Sequence, residues 1–196
     1  MKLTRTEKRQ NKINGVVNSR QKTLAVVLEN IHDPHNVSAI FRTCDAVGVP
    51  SVSLIYDIEK FPKIGKKSSA SAFKWVDKQK YKSVKECYKS LHESGFQILA
   101  SAITPDAKNL YELDLTKKTA IVLGNEHRGV TVEAAELADE NFLIPMHGMV
   151  QSLNVSVAAA VVLYEALRQR SNSGMYSNSE YDPQELEEMI ENWSKK

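Results

Sequence analysis

Hydrophobic and polar positions along the chain switch between two periods. Thr23–Leu28 is a short β-rich run between polar flanks, too short for a helix, and predicts a strand. After a loop at Glu29–His35, the residues Val37, Ile40, Phe41, Cys44 and Val47 recur at helical spacing. Asn36–Val47 therefore predicts a helix, introduced by Pro34 and stopped by Gly48. Ser51–Tyr56 alternates as a strand, whereas residues 57–80 show no clear period and predict mostly loop. A helix is expected at Ser83–Ser94, then strands at Phe96–Ala102 and Thr119–Leu123. Thr131–Ala138 predicts a helix with Thr131 at its cap and Glu133 in the first turn, where the helix dipole favours an anion. A short strand at Phe142–Ile144 precedes Asn154–Arg170, a long and largely apolar helix expected to be buried on most faces. A polar linker at Ser171–Ser179 leads to a terminal helix at Pro183–Trp193. Strands alternating with helices predict an α/β fold with a mostly parallel sheet.

Composition narrows the class. A chain of 196 residues is one domain with room for short appendages. Cys44 and Cys87 are far apart and in no CxxC pair, which argues against a disulfide scaffold or a zinc module and for a reducing compartment. The longest nearly apolar run, Val155–Tyr164, stops at Glu165 and falls well short of the roughly 20 residues that span a bilayer. No apolar block follows the basic start as a secretory signal would require, so a cytoplasmic protein with no membrane partner is expected.

The net charge of +2 hides three regions: residues 1–22 carry +6, residues 60–89 carry +8 and residues 180–196 carry −4. If residues 3–14 are helical, Arg5, Lys8, Arg9 and Lys12 share one face, a stripe able to track a phosphate backbone. No GxGxxG follows a strand, and Gly65-Lys66-Lys67-Ser68 reads as a lysine-rich loop rather than a phosphate loop. His32, Asp33 and His35 lack the spacing and the further ligands of a metal site, so no metal is expected.

Three segments carry candidate chemistry. In Asn36–Gly48, Arg42 sits on a helix rich in apolar residues, where a guanidinium withdrawn from water needs an anion; pairing with Asp45 at i+3 is the plainer alternative. Asn36 stands at the helix mouth, a capping position. In Ile121–Val130, a buried strand breaks at Gly124 into a loop holding Glu126, at the strand end where open α/β sheets bind ligands. In Ile144–Ala160, a strand ends in a loop rich in methionine, valine and leucine before Ser152 and Asn154 open a small-residue helix.

Together, Asn36…Arg42, Gly124-Asn125-Glu126 and Ser152-Leu153-Asn154 resemble, in order and spacing, the SpoU/TrmH family of ribose 2′-O-methyltransferases of the SPOUT superfamily. The resemblance covers almost the whole chain, including the basic amino-terminal arm and the terminal helix. His127-Arg128 departs from the lysine and small or aromatic residue expected of the family there. The resemblance implies a parallel sheet flanked by helices, with a carboxy-terminal trefoil knot at about residues 119–170. It divides the chain into a helical RNA arm (1–20), a methyltransferase domain (21–170) and a linker with a carboxy-terminal helix (171–196). It implies a homodimer joined through the buried helices, and S-adenosylmethionine held near Ser101, Gly124, Ile144, Met149 and Leu153. The substrate would be tRNA, at the D-loop guanosine 18 as in members with such extensions. Another tRNA position, ribosomal RNA, or a non-catalytic RNA-binding protein are the alternatives.

A sugar hydroxyl is barely ionised at neutral pH, so the site must stabilise the developing alkoxide or take its proton. The resemblance gives this role to Arg42, which an ordinary pKa above about 12 makes a better alkoxide and phosphate clamp than a base. Asn36 would position Arg42 or the ribose, Glu126 would hold both, and Ser152 and Asn154 would order the cofactor loop and the target nucleotide. Arg9, Lys12, Arg20, Arg168 and Arg170 are the expected RNA contacts; for Arg168 and Arg170, favourable charge at a helix carboxyl end is the alternative.

Overall fold

In a computed structural model, residues 5–63 and 72–196 are described. The Gly65–Ser68 loop and the first residues of the arm lie outside them. Seven strands, β1 (Leu24–Glu29), β2 (Ser51–Ile55), β3 (Asp77–Tyr81), β4 (Gln97–Ser101), β5 (Lys108–Asn109), β6 (Thr119–Leu123) and β7 (Glu140–Leu143), form one sheet in the order β3-β2-β1-β6-β4-β7-β5. Every pairing is parallel, with Val26 opposite Val52 on one side and Ile121 on the other.

A strand's two-residue period sorts its side chains onto the two faces. Leu24, Val26 and Leu28 join Ile121 and Leu123 beneath helices α2 (Pro34–Val47) and α5 (Val155–Asn172). Ala25 and Val27 join Ala120 and Val122 beneath α3 (Val84–Glu93) and α4 (Val132–Leu137). Burial on both faces explains the near-continuous apolar runs of β1 and β6.

Two strands depart from the sequence expectation. Residues 77–80 lie in the stretch expected to be loop, yet with Tyr81 they form β3: its polar DKQKY sequence carries no hydrophobic alternation because it is a solvent-exposed edge, held by its backbone ladder to β2. The two-residue β5 is too short for any pattern. The expected burial of α5 on most faces is also corrected. Val157 and Tyr164 are 47% and 52% exposed, and with the half-buried Ala160 and Val161 they form an apolar stripe along its outer side.

The amino-terminal arm is helix α1 (Arg5–Asn18) and the tail is α6 (Pro183–Ser194). They pack on each other through Ile13, Val17 and Trp193, joined by Trp75. α6 begins with a capping box in which Asp182 and Glu185 satisfy each other's backbone N–H groups. Lys22 pairs with Glu185, tying the α6 start to the segment before β1.

Candidate active site

Three chain segments leave the carboxyl ends of β1, β6 and β7 and converge. The first leaves β1 through Asn30, which adopts a left-handed conformation (φ 53°) that asparagine tolerates better than most residues. Asn30 Nδ2 donates to Asp57 at 2.7 Å and its Oδ1 accepts the Ile58 and Glu59 amides, so it fastens the loop after β2. Asp33 then caps α2 by accepting the His35 amide at 2.7 Å, and Asn36 is in the first turn, 8% exposed.

The second segment leaves β6 at Gly124. A Cβ there would meet backbone atoms of Gly129 and Val130 at 2.1 Å, so no larger residue fits. Asn125 and Gly129 exchange backbone hydrogen bonds and close a tight loop that presents Glu126. The third leaves β7 and reaches Asn154, which caps α5 by accepting the Ser156 amide at 2.9 Å.

Glu126 joins the first two segments. Its carboxylate accepts the His32 and Asp33 amides, both at 3.0 Å, and Asn36 Nδ2 at 2.9 Å. The third segment enters through Asn154, whose Nδ2 donates to Asn36 Oδ1 at 3.1 Å. An Asn154–Asn36–Glu126 line thus crosses sequence separations of 118 and 90 residues. Burial alone would push the Glu126 carboxyl up, but the hydrogen bonds from Asn36, His32 and Asp33 outweigh it and hold it below the ordinary glutamate value.

Arg42 differs from expectation. It is exposed rather than withdrawn from water, and among the described residues it makes no hydrogen bond or ion pair. The Glu126 contact is not made, and the Asp45 alternative is excluded because Asp45 holds Arg20 at 2.5 Å. Six residues at 100° each place Arg42 about a third of a turn around α2 from Asn36 and about 9 Å along it. Its donors are open to an incoming anion.

The five residues assigned to the cofactor lie at the carboxyl ends of β4, β6 and β7 or in the loops that follow. Gly124 is buried, Ser101, Ile144 and Leu153 are half-buried, and Met149 is fully exposed. Ser152 is exposed too and does not cap α5, a role that Asn154 fills. Two observations fit a nucleoside cofactor here. Thr104 Oγ1, in the loop beyond Ser101, is buried without a hydrogen-bond partner, and Ile103, Met149 and Val150 hold large apolar side chains in water on the loops beyond β4 and β7.

Two expected RNA contacts are corrected. Arg20 is 0% exposed, and its guanidinium goes to Asp45, to the Val49 carbonyl (3.0 Å) and to the Trp75 carbonyl (3.2 Å). Arg170, also 0% exposed, donates to the carbonyls of Leu115, Lys117 and Thr23 and to the Thr23 hydroxyl. Neither can reach a phosphate. Arg168 is exposed but held by Glu165 through two hydrogen bonds of 2.7 and 2.8 Å, while Arg9 and Lys12 are exposed on α1. The sequence reading missed Asn30 and Asn125; Asn125 Nδ2 donates to the Asn30 carbonyl at 2.7 Å and its Oδ1 accepts the His127 and Arg128 amides. An asparagine within two residues of the end of each of two apolar strands was the available signal. The departure at His127-Arg128 also finds a partner, since Arg128 pairs with Glu59 at 2.9 Å.

The fold recurs in known proteins. The model of the SpoU rRNA methylase family matches residues 23–164. The tRNA (guanosine(18)-2′-O)-methyltransferase of Thermus thermophilus is 45% identical over 192 residues, covering 98% of each chain. The crystal structure of the Aquifex aeolicus TrmH/SpoU tRNA modifying enzyme superposes with a TM-score of 0.90 at 40% identity, over 97% of this chain and 96% of that one. The SpoU methyltransferase AviRb of Streptomyces viridochromogenes, solved with AdoMet, reaches 0.68 at 25% identity over 79% of this chain and 62% of that one.

Proposed function

The chain belongs to the SpoU methylase family, and from that premise we propose that it transfers a methyl group from S-adenosylmethionine to the ribose 2′-hydroxyl of guanosine 18 in the tRNA D-loop. The observation that carries this reading is the Asn154–Asn36–Glu126 line, which joins the three family segments at one end of the sheet. The near-complete overlap with relatives named for guanosine 18, terminal helices included, supports the target.

When bound, S-adenosylmethionine supplies a methyl group already activated by its positive sulfur. The residues of the chain deal with the nucleophile. Arg42, with its donors uncommitted, stabilises the charge that develops on the sugar oxygen and clamps a substrate phosphate. Asn36, fixed between Glu126 and Asn154, orients the ribose. Glu126 stays ionised and locks the α2 entrance against the Gly124 loop. Ser152 and Asn154 order the loop before α5, and Ser101, Gly124, Ile144, Met149 and Leu153 line the cofactor site.

Arg9 and Lys12 contact RNA phosphates, with Arg168 contributing the N–H groups its Glu165 pair leaves free. Residues 21–170 form the methyltransferase unit, threaded as a trefoil knot over about 119–170, with residues 1–20 as its RNA-binding arm and residues 171–196 as a linker and carboxy-terminal helix. The exposed apolar stripe of α5 joins two copies into a homodimer. With tRNA as partner the enzyme works in the cytoplasm, and no described helix is long and apolar enough to cross a membrane. Among the described residues no cluster could hold a metal, and none is invoked.

Purified protein incubated with labelled cofactor and unmodified tRNA tests the reading. Label on the 2′-oxygen of guanosine 18 is expected. Label confined to another nucleotide or to ribosomal RNA would overturn the target, and tight RNA binding with no transfer to any RNA would overturn the activity.

A further inference from the structure

We propose that the cavity between α1, α6 and Trp75 binds a nucleotide of the RNA other than the one that reacts; this rests on the tRNA reading above. The cavity is about 330 Å³ and is bordered by Arg9, Lys12, Trp75 and Trp193. Arg9 and Lys12 are exposed at its mouth, and the two indole rings stand 4.8 Å apart at 44° along its wall. Asp45 also borders it, but its charge is matched by the buried guanidinium of Arg20, so the two outer bases keep an excess of positive charge.

The positive surface continues beyond Trp75. Lys196 Nζ stands over both indole rings, at 5.9 and 5.8 Å, and donates to the Lys74 carbonyl. From there a second, open groove of about 660 Å³ runs past Lys74 and Lys78 to the edge strand β3. A row of cations broken by aromatic surface suits a chain in which phosphates alternate with flat bases: the cations take the phosphates and the indoles take a base or ribose.

Place in the fold decides which part of the RNA lies here. α2 runs from Asn36, at the carboxyl edge of the sheet, to Asp45, which borders the cavity at the amino-terminal edge. Nine residues of helix separate them by about 14 Å. The ribose at Asn36 and the nucleotide in this cavity are therefore different residues of the bound RNA.

The chain has two tryptophans, and both border this cavity, so tryptophan emission of the unaltered protein reports on it directly. Saturating unmodified tRNA is expected to quench or shift the emission along the same curve as filter binding and to shield the indoles from acrylamide. S-adenosylmethionine alone should leave the emission unchanged. The Arg9→Glu, Lys12→Glu double variant should weaken the tRNA-dependent signal at least tenfold while its cofactor affinity stays within twofold, which shows that the fold is intact. Tight tRNA binding with silent tryptophans would overturn the proposal, as would an equal response to polyglutamate, which would assign the cavity to an acidic protein segment. A tryptophan response without methyl transfer would instead defeat the reaction reading and leave the pocket standing; methyl transfer with silent tryptophans would do the reverse.

Discussion

At the amino-terminal edge of the sheet, Arg20 and Arg170 are sealed from water and their guanidinium nitrogens, Arg20 Nε apart, are taken up by carbonyls and acids of several segments. On the same helix as Arg20's acid and three residues before it, Arg42 stands in water with no protein partner among the described residues. The same side chain serves as an internal brace in one place and as an open anion receptor in the other. What separates them is whether the surrounding backbone offers acceptors: segments entering β1, β3 and β6 leave carbonyls free around the buried pair, whereas on the outer side of α2 the helix's own hydrogen bonds take up the nearby backbone and leave Arg42 over.

Breaking the brace should have the largest effect. Arg170→Leu strips the donors from three backbone carbonyls and leaves Glu180, 3.6 Å away, without its ion-pair partner, with only Thr23 still donating to it. Removing one side of a buried charged network costs about 3–5 kcal/mol, visible in calorimetry as a melting point lower by about 10 °C. A change under about 1 kcal/mol would mean the arginine is dispensable to the fold.

Removing the open arginine should act on rate instead. Arg42→Ala is expected to lower kcat by about 100- to 1000-fold, the range for one donor to a developing oxyanion, with melting point and cofactor affinity nearly unchanged. A large drop in melting point or cofactor affinity would erase the contrast between the two arginines.

Glu126→Gln sits between these cases, because the residue is part of the site and also joins two loops. A roughly tenfold loss of turnover is expected, with a change in acid stability of definite sign. The Glu126 carboxyl is held below its ordinary value in the fold, its hydrogen bonds outweighing burial, so its contribution is full above the unfolded-state pKa and fades as pH falls through the lower folded value. Acid titration followed by circular dichroism should show less loss between those limits in the variant than in the parent; equal loss would mean the carboxylate is not part of the linkage.

The smallest expected effect is on the RNA-facing arm. Arg9→Gln should raise the tRNA KM severalfold, leave kcat in place, and reduce the salt slope of binding by roughly 0.7–0.9, as one phosphate contact does. An unchanged slope would remove Arg9 from the interface.

Local signals made much of this legible. The apolar runs of β1 and β6, the helical spacing of α2 and the caps Ser83 and Thr131 all stand where the periodicities place them, because strand and helix faces and capping depend on near neighbours. Asn36, Glu126 and Asn154 could be singled out, and the family likeness grouped them. Their mutual hydrogen bonds span 90 and 118 residues and follow only from the order in which β1, β6 and β7 return to the sheet. β3 was hidden because an exposed edge strand is specified by its partner's backbone rather than by its own side chains. Sequence alone thus determined the alternation of elements and the residue types at the site. Tertiary structure decided which arginine is a brace and which is free, since a guanidinium's role depends on the acceptors that distant segments bring within about 3 Å of it, and no local pattern encodes that distance.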